Sequence, residues 1–365
     1  MKRLVPVLFV FSAVGLSHET LTTTVLFDRE IVRILDKHCV MCHVENGPAF
    51  PLVTYEQTWL QKRPIRADVI ARHMPPWAAV SGYGQFINEN NLTLRETQFI
   101  ISWVEGLGPR NAGTVFTNTA TPGTARPRDV QAHTDFDTWQ LGEPQLKRQL
   151  PANAIEPGGN GIKRTVIDLG LASERWLRAL EFMPEDRRVI RAAFFTVQET
   201  GQWIGSWTPW FGYASLPKGT AYRLPAGSHI VAEIHYWNAK GRVVERGTLG
   251  LFFADQPSPV PASDVVLEAR AGVSQKFRAE TRLAADIYVV ALWPEIQAGV
   301  KSIEVSARRP DNTTEVLLFA KDIPVDWPTP YIFKDPVALP RGTVLSVTAY
   351  SGGVRLTVGI YRARK

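Results

Sequence analysis

Apolar and polar residues along the chain change rhythm once, near residue 136. Before that point the spacing is helical. Ile31, Ile34, Leu35 and His38 recur on one face, and Asp28 is placed to N-cap them, so the pattern predicts a helix that ends at Cys39. Thr93-Leu-Arg-Glu96 has the form of a capping box. It opens a second helix with Phe99, Ile100, Trp103, Val104 and Leu107 on its apolar face, closed by Gly108-Pro109. Beyond Phe136 the pattern becomes short β-rich runs separated by Pro/Gly turns. These are Arg164–Leu169, Val189–Gln198, Ile230–Trp237, Thr248–Phe253, Ile287–Leu292, Ser302–Ala307, Val316–Phe319 and Val344–Tyr350. Runs about ten residues apart predict β-sandwiches rather than a parallel α/β sheet. Residues 111–135, rich in Gly, Pro, Thr and Asn, read as a linker.

A weak internal repeat runs through the β-rich part. Leu224-Pro-Ala-Gly-Ser-His-Ile-Val-Ala-Glu-Ile-His235 aligns with Leu339-Pro-Arg-Gly-Thr-Val-Leu-Ser-Val-Thr-Ala-Tyr350 at an offset of 115 residues, each a turn that feeds a strand. Leu216-Pro-Lys-Gly-Thr220 carries the turn a third time. The offset predicts two similar sandwiches in tandem, at 136–255 and 264–365, with a seam near Gln256–Ser263.

Length and composition fit this division. The chain has 365 residues, enough for two or three domains of about 100–200 residues. Eleven Trp and 17 Phe are available to fill their cores. Residues 1–17 have the form of a secretory signal: Lys2 and Arg3, an apolar run of about 13 residues, then small residues at Gly15 and Ser17. The alternative, a membrane anchor, needs roughly 18–20 apolar residues. Cleavage lowers the net charge from +6 to about +4, and no long basic run supports nucleic-acid binding. The expected product is an exported, periplasmic protein without stable membrane insertion.

The only two cysteines, Cys39 and Cys42, lie in Cys39-Val-Met-Cys42-His43, the C-x-x-C-H pattern of c-type haem attachment. Two thiols at this spacing can add to the two haem vinyl groups while His43 presents its imidazole to the iron. A redox dithiol or half of a zinc site would use the same thiols, but the first leaves His43 unexplained and the second needs further ligands. Residues 25–110 resemble a small class I cytochrome c, and the resemblance implies a distal ligand between the two helices. Met74, in Arg-His-Met-Pro-Pro-Trp77, occupies that place, with His73 as the fallback and His38 as a packing histidine. His/Met ligation implies one covalent haem c and electron transfer, with a periplasmic redox protein as partner.

The β-rich part resembles copper type II ascorbate-dependent monooxygenase domains, similar to peptidylglycine α-hydroxylating monooxygenase, as found fused to a cytochrome c in an exported bacterial family. The segments that carry the likeness are Trp139-Gln-Leu-Gly-Glu-Pro, the Gly212-Tyr-Ala stretch with its two Leu-Pro-x-Gly turns, and Ile234-His-Tyr. The resemblance implies a small all-α class I cytochrome c domain followed by two all-β jelly-roll sandwich domains, each holding one copper. Most copper ligands do not carry over. Arg191 and Ala192 stand in place of a His-His pair, Glu295 and Gln297 in place of a His-x-His, no Met follows Met183, and only His235 matches.

A single imidazole cannot hold copper, so the expected module is copper-free with His235 a relic. A His229/Glu233/His235 face is the one alternative metal site the strand alternation allows. The rival functional reading is a working copper monooxygenase fed electrons by the haem. A third is a binding module, with Trp203, Trp207 and Trp210 as a sugar-binding or docking surface.

Overall fold

The computed structural model describes residues 23–47, 49–111, 138–237, 240–255, 260–270, 272–273 and 275–363. The signal segment, the linker beyond Asn111 and His133 lie outside them.

Four α-helices lead: α1 (Val32–His38), α2 (Tyr55–Leu60), α3 (Lys62–Ile70) and α4 (Leu94–Glu105). The Thr93/Glu96 capping box of α4 forms in both directions, and Ile100, Trp103 and Val104 point inward. Leu107 does not join them. It follows the helix end with φ +68° and is exposed, because the left-handed residue turns the chain off the helical face. Nor does Asp28 cap α1. The chain enters through a π-turn at Phe27–Ile31 whose cap, Leu26, donates its N–H to Glu30 Oε2 at 2.9 Å. Asp28 instead faces Arg110 at 3.6 Å.

The strands fall into a repeated pattern. A four-stranded sheet runs Gly161–Asp168, His229–Tyr236, Ile190–Val197, Trp203–Trp207. A five-stranded sheet runs Gly272–Val273, Lys276–Arg282, Val344–Tyr350, Ser302–Arg308, Thr314–Lys321. Both face one continuous nine-stranded sheet. Its first half is Leu146–Gln149, Thr248–Phe253, Arg175–Met183 and Thr220–Leu224, with Tyr213–Ser215 attached to the third. Its second half is Val260–Ala269, Val354–Arg362, Ile287–Ile296 and Tyr331–Leu339. The Leu-Pro-x-Gly turns sit at equivalent places in the two halves. Ser228 N–H donates to Pro225 O, and Thr343 N–H to Pro340 O, across Gly227 and Gly342 at φ +71° and +87°. That is a type II turn, which requires a residue at positive φ in its third position.

The separate-domain architecture is overturned. Among the described residues strands make up 44% and helices 14%, and the helical part is not a free-standing all-α class I cytochrome c domain. The segment after Met74 leaves the helices and becomes part of the second sandwich. Ala79 bridges to Ala320 and Phe86 to Phe333, and Trp77, Ala79 and Phe86 are buried in the core shared by the five-stranded sheet and its partner. Asn88 fastens the segment by donating to Pro330 O at 2.8 Å and accepting from Ile332 N–H at 3.0 Å.

The β-rich part is likewise not a pair of independent jelly rolls. Val260 and Pro261 pair in parallel with Thr220 and Ala221, so the expected seam lies at a junction inside one sheet. A separate apolar layer of Ala192, Phe194, Trp203, Val290, Ala291 and Trp293 also joins the halves, with Phe194 stacked on Trp293 at 4.5 Å. In both cases apolar surface that a local pattern leaves half-covered is buried by a neighbour distant in sequence.

Candidate functional site

The C-x-x-C-H segment follows directly from α1. Cys39 N–H still bonds to Leu35 O, and Cys42 and His43 N–H groups turn back onto Cys39 O at 3.1 and 3.0 Å. This tight turn sets both thiols and the imidazole on the wall of one cavity of about 290 Å³, together with Met74, Asn90 and a largely apolar lining. Cys39 and Cys42 are free thiols, and burial pushes both up to about 12. They are therefore neutral S–H groups at any physiological pH.

His43 is oriented for ligation. Its Nδ1 lies 2.8 Å from Phe50 O, and a carbonyl can only accept, so Nδ1 carries the proton and Nε2 keeps its lone pair. Burial lowers its pKa, outweighing the Phe50 bond and the nearby Asp68 carboxylate, so the ring is held neutral. Neutral imidazole is the ligating form.

Of the two sequence candidates for the opposite side, Met74 lines the cavity. His73 does not share the wall; its ring is exposed and faces Asp68 at 3.5 Å. Asp68 O, at the end of α3, receives the N–H groups of both His73 and Met74, which sets the segment at the cavity mouth. His38 borders the same cavity, but its ring nitrogens face Asn90 Oδ1 at 2.8 Å and Glu96 Oε1 at 3.4 Å. It packs α1 against α4.

Three residues of the site carry no local signal in the sequence. Trp210, Trp237 and Trp327, from loops of both β halves, close the cavity. Trp237 meets Trp327 edge-on at 5.1 Å, and Trp210 donates its indole N–H to Asn88 O at 3.0 Å. Behind them lies Arg191, with its guanidinium 4.8 Å from the Trp237 ring centre and 5.2 Å from that of Trp327. Its Nη1 donates to Asp326 O and Oδ2 at 2.9 and 2.8 Å.

The other candidates are dispersed. His229 pairs with Glu199 at 2.8 Å, and His235 with Glu233 at 2.9 Å, with its ring edge against Phe194. The two histidines share a strand face but stand six residues apart, roughly 20 Å along an extended chain, so His229, Glu233 and His235 do not converge. Ala192 is fully buried in the layer between the sandwiches. Glu295 is ion-paired to Arg355, and Gln297 Oε1 accepts from Gly353 N–H at 3.1 Å. Among the described residues no group of three His, Cys, Asp or Glu is gathered as a metal site, and no helix is long and apolar enough to cross a membrane. The sugar-surface reading of the tryptophans fails: Trp203 and Trp207 are buried, Trp203 between the two halves and Trp207 in the first core.

No protein-family model and no curated protein matches the chain. Among solved structures it is similar to the major capsid protein P2 of bacteriophage PM2, at 7% identity over 59% of this chain and 98% of that one, with a TM-score of 0.28. It is also similar to allantoicase from Saccharomyces cerevisiae, at 10% identity over 54% of this chain and 77% of that one, with a TM-score of 0.21. A third likeness is to Bacillus subtilis oxalate decarboxylase, at 8% identity over 61% and 78% of the chains and a TM-score of 0.15. At such scores none of these likenesses bears on function.

Proposed function

We propose that the protein is an exported, periplasmic c-type cytochrome that holds one haem c in the cavity between Cys39, Cys42, His43 and Met74 and passes single electrons to a periplasmic redox protein. The observation that carries this reading is the convergence on one cavity of two neutral thiols, a neutral imidazole with a free Nε2, and a thioether.

Each thiol would add its S–H across one vinyl double bond, forming one C–S bond and placing the hydrogen on the adjacent carbon, with no oxidant or reductant consumed. His43, through its free Nε2, and Met74 would hold the haem iron. When bound, the haem would supply one-electron chemistry at iron, and two protein ligands from His43 and Met74 would leave no site for oxygen. Phe50 O fixes the His43 ring, and the tryptophan wall excludes water.

In the same reading the β-rich part is a monooxygenase-like module that works without copper and serves as a wall of the haem site and a docking body. Support comes from the positions where copper ligands would stand: Arg191 is committed to Asp326 and two indoles, Glu295 to Arg355, and His235 to Glu233.

The test is expression with export and haem-attachment machinery, followed by peptide mass spectrometry, a reduced-minus-oxidised spectrum and metal analysis. One haem on the peptide carrying Cys39–His43 and a c-type α-band are expected. A chain without covalent haem overturns the reading, and one or two coppers per chain would move it to a copper-dependent monooxygenase.

A further inference from the structure

We propose that the haem pocket is completed by the β-rich part of the chain, with the Trp327 indole N–H and the Asn90 amide as the donors that bind the carboxylate edge of the haem. The inference rests on the haem reading above and adds residues that the C-x-x-C-H motif does not include.

Trp327 lines the cavity and is 5% exposed, and its Nε1 is buried with no hydrogen-bond partner. An indole nitrogen can only donate, so no alternative tautomer or rotated amide satisfies it. Asn90 lines the same cavity at 3% exposure, and its Nδ2 is also buried and unpartnered while Oδ1 faces His38. Leaving one such group unsatisfied costs on the order of tenfold or more in the folding equilibrium. Two of them in one cavity, whose other polar lining is His38, His43 and Asp68, mark the place of an acceptor-rich ligand. A haem carries two carboxylates, which only accept when ionised, and hydrogen bonds to ionised acceptors are the stronger kind.

The surrounding residues position the indole for this. Arg191 stacks over Trp327 and Trp237 and anchors to Asp326, one residue before Trp327. Trp237 holds the ring from its edge. Arg191 thereby also brings a positive charge to within one ring of the cavity, on the side where the haem's anionic edge would lie. Trp237 comes from the first β half and Trp327 from the second, so the pocket closes only when both have packed on the helices.

The test is a cycle on the full chain: Trp327→Phe alone, and Trp327→Phe in a Cys39→Ala/Cys42→Ala background that attaches no haem. Phe keeps an aromatic ring, though a smaller one, and removes the donor. In the haem-loaded chain the substitution is expected to lower the folding equilibrium constant roughly ten- to hundredfold. In the haem-free chain only the smaller loss from packing is expected, severalfold below that of the loaded chain, because the donor has no partner there. Equal losses in both backgrounds would make Trp327 merely structural and overturn the proposal.

Should the haem-free chain not fold, the midpoint potential of loaded Trp327→Phe between pH 5 and pH 9 decides. Loss of the donor leaves more negative charge beside the iron, so a lower potential with a steeper pH dependence is expected. An unchanged potential and pH dependence overturns the inference. A parent chain that carries covalent haem while Trp327→Phe has no effect defeats this inference alone; a parent chain without covalent haem defeats the haem reading itself.

Discussion

Replacing Trp77 by Ala tests whether the segment that follows the helices is part of the core of the second sandwich. Trp77 is 6% exposed and meets Tyr331 at 5.1 Å and Phe86 at 6.0 Å inside the core built by the five-stranded sheet and its partner. A tryptophan buries about 150–250 Å², and truncating one in a core costs about 3–5 kcal/mol, including the cavity left behind. Trp77 clusters with residues of the second sandwich, so the loss should fall first on those strands. Native-state hydrogen exchange read by mass spectrometry gives the effect segment by segment. Amides of Thr314–Lys321 and Tyr331–Leu339 are expected to exchange roughly a hundred- to several-thousandfold faster, the equivalent of that cost. Leu60→Ala, at an exposed helix position, serves as the control and should leave them unchanged. If the strands keep full protection in Trp77→Ala while only the helices lose theirs, the joint core is wrong.

Three further outcomes follow from the geometry. If the proposed haem site is right, Met74→Ala should open the sixth iron position, lower the midpoint potential and let carbon monoxide bind the reduced protein, whereas His73→Ala should do none of these. Asp264 is raised to about 7 by burial, which outweighs the Trp203 N–H it accepts and the Arg355 charge. The folded state therefore holds a proton that the unfolded chain has released, and stability falls as pH rises from about 4 to about 7. Asp264→Asn should melt above the parent at pH 8, with the difference shrinking by pH 5, as followed by scanning calorimetry.

Glu96 shows the opposite sign. Burial would raise it, but Thr93, His38 and Lys37 together bring it down to about 2. Its contribution is present above about 4.5 and lost as pH falls towards 2. Glu96→Gln should flatten acid unfolding in that window, and an unchanged acid limb by circular dichroism would remove Glu96 from the account.

Much of the element pattern was readable because it depends on neighbours in sequence. Alternation placed the His229–Tyr236 strand and its buried face, and the Thr93/Glu96 pair marked the start of α4. The Leu-Pro-x-Gly turns revealed the repeat, since a type II turn demands a glycine at a fixed step. Strands such as Arg175–Met183 and Val354–Arg362 gave no such signal. They lie in the middle of the long sheet, nearly all of their side chains are covered, and their apolar runs lack the alternation of a half-exposed strand. Asp28 looked like a helix cap only because capping was judged from residue type, whereas Arg110 decides where its carboxylate points.

By itself the amino-acid sequence determined the chemistry-bearing triplet Cys39, Cys42 and His43, because thiol and imidazole at that spacing need no distant partner to be recognised. Only the tertiary structure decided that Met74 rather than His73 shares their cavity, that the chain beyond Trp77 belongs to a β core, and that three indoles and Arg191 close the site. Contacts such as Trp77 with Tyr331 and Trp210 with Asn88 join residues more than a hundred positions apart. They are made by burying apolar surface against whatever the fold brings near, and that leaves no periodic trace along the chain.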